Sequence, residues 1–90
     1  MSQKASPEVT QAILEVVENQ LRDNNPPETR ATLDRLQSQA MSRPEAVRLI
    51  ACVVADEMFH VLRHGAVFDE KRFVANLKRL PAMPWDEPSS

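Results

Sequence analysis

Ninety residues, 42% hydrophobic and 27% charged with a formal net charge of −2, describe one small domain with a thin core. One glycine, no tyrosine and 4% aromatic residues argue against a β-sandwich or barrel, and the near-neutral charge supplies no basic face for nucleic acid. The single cysteine, Cys52, excludes an internal disulfide, and with neither a signal-like apolar core in residues 1–12 nor a run near the ~20 apolar residues of a membrane span, the expected location is cytoplasmic.

Residues 1–5 read as an arm. Ser6 is the expected cap of a first helix, α1 (7–23), with Pro7 at its first position and Glu8 near its positive end. Val9, Ile13, Val16, Val17 and Leu21 recur at helical spacing and predict one buried stripe. Asp23-Asn24-Asn25-Pro26-Pro27 ends it, because the residue before a proline is pushed out of helical geometry. Asn25 with Glu28 has the spacing of a capping box for α2 (26–40), whose Leu33, Leu36 and Ala40 make a narrow apolar edge, the weakest of the set.

The longest predicted helix, α3 (43–64), has both ends marked. Ser42 and Glu45 form an S-x-x-E capping box, Pro44 sits in the permissive first turn, and Gly65 stands where a C-cap is wanted. Met41 precedes the cap and is placed to pack on the first turns. Val47, Ile50, Ala51, Val54, Met58, Val61 and Leu62 share one face, while Leu49, Cys52, Val53 and Phe59 lie elsewhere on the circumference. A helix this apolar is central or forms an interface. Asp69 caps α4 (69–80), with Phe68 and Phe73 at the spacing of a hydrophobic staple, Phe73, Val74, Leu77 and Leu80 on the buried side, and Lys78 and Arg79 at the negative end. Pro81 closes it. The organisation is therefore an all-α, four-helix domain over 1–80, with α3 as the central element, and an extended proline-rich tail over 81–90.

Few constellations carry chemistry. Glu57, His60 and His64 lie along one side of α3 at spacings of three and four, the one arrangement with a metal-binding flavour. A di-metal carboxylate site needs a second Glu-x-x-His and two more carboxylates, and a zinc site on His60 and His64 needs further ligands. With no other histidine in the chain, a second subunit would have to supply them. A polar flank at the negative end of a helix is the simpler reading. Cys52, mid-helix among apolar neighbours, reads as an inert thiol. No Gly-rich phosphate loop, Cys pair or G-x-S-x-G elbow is present, so neither a cofactor nor an active site is expected. The basic residues Arg63, Lys71, Arg72, Lys78 and Arg79 are interrupted by Asp69, Glu70, Asp86 and Glu87 and read as a solvated face. Trp85, the only tryptophan, either folds back between helices to fasten the tail, the favoured reading, or anchors a partner.

Val17-Glu18-Asn19-Gln20-Leu21, Asn25-Pro26-Pro27-Glu28-Thr29, and Glu45-Ala46-Val47 leading a long apolar helix together resemble small uncharacterised bacterial all-helical proteins, across residues 10–80. The resemblance implies an all-helical fold and a bacterial source. It also implies histidines at positions that are Thr10, Leu14 and Arg48 here. If those histidines hold a metal in relatives, this chain keeps only Glu18 of the set. The resemblance supplies no activity. The leading expectation is a non-catalytic protein-interaction module, with self-association as one form, drawn from the apolar surplus at Leu49, Val53 and Phe59 with Trp85. The alternative is a metal-binding protein using Glu57, His60 and His64 with ligands from a second subunit.

Overall fold

The computed structural model describes residues 7–65 and 67–86. Among them are four α-helices and no strands: α1 (Pro7–Asp23), α2 (Pro27–Ser38), α3 (Arg43–His64) and α4 (Glu70–Arg79). The expected arm, the Ser6 cap and the end of the tail at 87–90 lie outside the described residues.

The capping signals of α3 and α4 are realised as atoms. Ser42 Oγ accepts from the Glu45 N–H at 3.2 Å, and Glu45 Oε1 accepts from the Ser42 N–H at 3.2 Å. Gly65 ends α3 at φ 62. Asp69 accepts from the Arg72 N–H at 3.1 Å, and the Phe68 and Phe73 rings lie 5.5 Å apart as the staple requires.

The ends of α1 and α2 differ from expectation. No side chain caps α2; Pro26 is its N-cap, so the Asn25–Glu28 box does not form. Both helices instead end in the same six-residue closure. Asn25 N–H donates to Gln20 O at 3.0 Å and Asn24 N–H to Leu21 O, with Asn24 at φ 51. Met41 N–H donates to Leu36 O at 3.3 Å and Ala40 N–H to Gln37 O, with Ala40 at φ 67. These are Schellman motifs, which satisfy the last carbonyls through one left-handed residue. Asparagine tolerates that conformation; alanine does so only against its Cβ sterics.

The core is Val17 and Leu21 from α1, Leu33 and Leu36 from α2, Ala46, Val47, Ile50, Ala51, Val53 and Val54 from α3, and Phe73, Leu77 and Leu80 from α4 and its end. The ~33 Å length of a 22-residue helix makes α3 nearly as long as the 35 Å molecule. It does not act alone. Both α2 and α3 touch all three other helices, while α1 and α4 do not meet. So α2, expected to be the weakest, shares the centre. Its apolar edge is completed by two buried threonines: Thr29 and Thr32 bury their methyls, and Thr29 Oγ1 donates to Gln20 Oε1 of α1 at 2.8 Å. Arg35 of α2 crosses to α4 and donates to the Leu80 and Leu77 carbonyls at 2.8 and 3.0 Å, capping that helix from outside.

The faces of α1 and α3 also depart from their sequence patterns. Val9 and Val16 are exposed, leaving Val17 and Leu21 as the buried part of the α1 stripe. Val53, expected in the apolar surplus of α3, is fully buried, because α1, α2 and α4 together cover more than one side of this helix. Leu49 is half-buried against the core. Conversely Met58 and Leu62, on the same face as Val47, Ile50 and Val54, are exposed: past Glu57 no residue of α3 is buried.

Candidate functional site

Glu57 marks the point where α3 leaves the core. Its side chain is 1% exposed, and both oxygens are taken. Arg72 Nε donates to Oε1 at 2.9 Å and Arg72 Nη2 to Oε2 at 2.7 Å, while the Asp69 N–H donates to Oε2 at 3.0 Å. Burial by itself pushes this carboxyl up. The Arg72 and Asp69 hydrogen bonds and the charges of Arg72 and His60 outweigh it, so the group titrates below the ordinary glutamate range. The forked pair fixes the start of α4 against the last turns of α3.

This geometry removes Glu57 from the expected metal set. Its oxygens serve Arg72 and Asp69, and the two histidines keep other company. The His60 and His64 rings stack at 5.6 Å, and His60 Nε2 lies 3.8 Å from Asp56 Oδ2. Among the described residues no group of three or more His, Cys, Asp or Glu is placed to hold a metal ion. The positions where the resemblance implies histidines do converge. Thr10, Leu14 and Arg48 line one groove of about 410 Å³ between α1 and α3, together with Ile13, Ala51, Cys52 and Ala55. Threonine, leucine and arginine offer no imidazole there, and Glu18 is occupied by a forked pair with Arg43 at 3.0 and 3.1 Å.

Beyond Glu57 the side chains turn to solvent. Met58 is 44%, Phe59 57% and Leu62 81% exposed. Arg63 stacks over the Phe59 ring at 4.9 Å. The segment after α4 comes back to this region. Leu80 is buried and Met83 packs on the core. Asp86 closes a turn: its Oδ2 accepts from the Met83 N–H at 2.9 Å, its own N–H donates to Met83 O at 2.9 Å, and its carbonyl accepts from Arg79 Nη2 at 2.8 Å. The turn holds Trp85 beside Phe59 without burying it. Leu80 and Met83, not the indole, fasten the segment, and Trp85 stays 62% exposed. Cys52, Ala55, Asp56, Phe59, Arg63 and Trp85 line an open groove of about 460 Å³. Burial raises the Cys52 thiol, which keeps it protonated and unreactive at neutral pH.

Of the sequence-predicted site residues, Phe59 and Trp85 are thus brought together, Val53 and Leu49 are withdrawn toward the core, and Glu57 is separated in role from His60 and His64. Arg63 and Leu62 are exposed and Asp56 is half-buried beside His60, and none of the three carries a distinguishing signal of its own. Asp56 and Arg63 could have been singled out only by noticing that they flank the same side of the Ala55–Phe59–Leu62 row. Comparison with protein-family models, curated proteins and solved structures finds no match. No helix among the described residues is long and apolar enough to cross a membrane.

Proposed function

We propose that this chain is a non-catalytic protein-interaction module whose contact surface is the end of α3 with the Trp85 turn. The observation that carries this reading is that Phe59 and Trp85 line one groove while each remains more than half exposed. Exposed large apolar side chains gathered in one place mark contact sites, and aromatic residues supply most of the energy at such sites. The core is closed without them, so their exposure is not a by-product of poor packing. The Asp86 turn and the Glu57–Arg72 fork hold the surface in place before binding, which lowers the ordering cost of association. The groove offers contact area and two opposite charges, and its one thiol, Cys52, is held protonated by burial rather than activated as a nucleophile.

The test is a photoreactive residue in place of Leu62, whose side chain is 81% exposed, with exposed Asp34 of α2 as control. Irradiation in cells yields a discrete covalent adduct from position 62 and none from position 34. Equal or no adducts at the two positions would contradict the reading.

A further inference from the structure

We propose that the molecule covering this face is a second copy of the chain, its α3 crossing the first in antiparallel orientation; this rests on the contact-surface reading above and names its partner.

One feature of α3 points to a helix as the partner and a second points to a copy of itself. The first is spacing. Cys52, Ala55, Phe59 and Leu62 follow one another at intervals of three, four and three, the row that packs against another helix in a coiled seam. Cys52 and Ala55 are half-buried and small, Phe59 and Leu62 large and exposed, so the row is recessed at one end and raised at the other. Cys52 and Ala55 already line the groove with α1, so the free part of the row is its Phe59 and Leu62 end.

The second feature is charge. Asp56 directly follows Ala55 and Arg63 directly follows Leu62, so both stand on the same flank of the row, one acidic and one basic. A twofold axis between Phe59 and His60 reverses the second helix and sets that flank against itself. Asp56 then faces Arg63 of the partner subunit, and Arg63 faces Asp56 of the partner subunit. Parallel pairing would instead set this flank against the opposite flank of the partner and leave the two charges without each other. The two Phe59 rings and the two Leu62 side chains meet around the axis, and Trp85 of each copy lies at the rim of the groove its own Phe59 lines.

The experiment is sedimentation velocity with light scattering on the full chain and four variants: Leu62→Glu, Asp56→Arg, Arg63→Asp, and the double exchange Asp56→Arg/Arg63→Asp. The native protein forms a concentration-dependent dimer of twice 10.2 kDa. Leu62→Glu, at a side chain too exposed to be needed for folding, abolishes it. Each single exchange turns two symmetry-related attractive pairs into repulsive ones and weakens the dimer about tenfold or more. The double exchange restores it to within a few-fold. A native chain that stays monomeric at every accessible concentration would overturn the proposal, as would a dimer indifferent to Leu62→Glu or a double exchange no better than the singles. A monomeric native chain whose position-62 crosslinker captures a different protein would overturn the self-pairing alone and leave the contact-surface reading standing.

Discussion

Glu57→Gln is the perturbation whose consequence the structure specifies most fully. The native carboxylate is 1% exposed and accepts three hydrogen bonds, two from Arg72 at 2.9 and 2.7 Å and one from the Asp69 N–H at 3.0 Å. The amide keeps the shape but loses the charge, and its NH2 must face a donor on one side. The hydrogen bonds to a charged acceptor weaken, each by about 1 kcal/mol, and one buried donor is left unmatched at about 1–3 kcal/mol. A loss of about 2–3 kcal/mol at pH 7 follows once some water entry is allowed for. With a urea slope near 1 kcal/mol/M for a chain this small, the midpoint falls by about 2 M. The pH dependence gives a second, independent reading. Because the Glu57 pKa is lowered on folding, its stabilisation is present in full above the unfolded value of about 4.3 and is lost as pH falls through the folded value. The gap between native and variant midpoints therefore narrows below pH 4. Glu18, also lowered by its Arg43 hydrogen bond, has the same sign but is common to both proteins and cancels in the comparison. The measurement is urea unfolding followed by circular dichroism at pH 7 and pH 3, at one low protein concentration so that association does not enter. A variant within 0.5 kcal/mol of native, or a gap unchanged between the two pH values, would refute the reasoning.

Ala40 occupies the left-handed position of the α2 closure at φ 67, so Ala40→Gly raises stability by about 0.5–1 kcal/mol, read as a rise in Tm of a few degrees. Arg35→Met removes the outside cap on the α4 carbonyls while keeping much of the stem, and lowers stability by about 1–2 kcal/mol in urea unfolding; no change would mean those carbonyls are served as well by water. Cys52, with its thiol raised by burial, reacts with a maleimide at pH 7 much more slowly than the same residue in the urea-unfolded chain; equal rates would contradict its half-buried placement.

What could be read from the residues depended on whether the signal was local. Ser42 with Glu45, Gly65, and Asp69 with Phe68 and Phe73 act within one turn, and each forms as its spacing implies. The closures at Asn24 and Ala40 are local too, but no glycine announces them. Partners set by tertiary packing were beyond reach. Glu57 groups with the histidines by spacing because all share α3, whereas its partner stands on the next helix. Thr29 and Thr32 looked polar, yet their methyls complete the α2 core face. Periodicity alone cannot say where coverage of α3 ends: Leu62 shares a face with Ile50 and Val54 yet is exposed, while Val53, off that face, is buried. The fastening role expected of Trp85 falls to Leu80 and Met83, and the indole stays exposed.

That the face bearing Phe59 and Trp85 is a contact surface is tested most directly by hydroxyl-radical footprinting of Met58, Phe59 and Trp85, once in dilute purified protein and once in cells, with half-buried Met83 as internal reference. The three exposed side chains react freely in the dilute protein and are protected in cells, while Met83 reacts alike in both. Equal labelling of Phe59 and Trp85 in the two settings would contradict the claim that another molecule covers them.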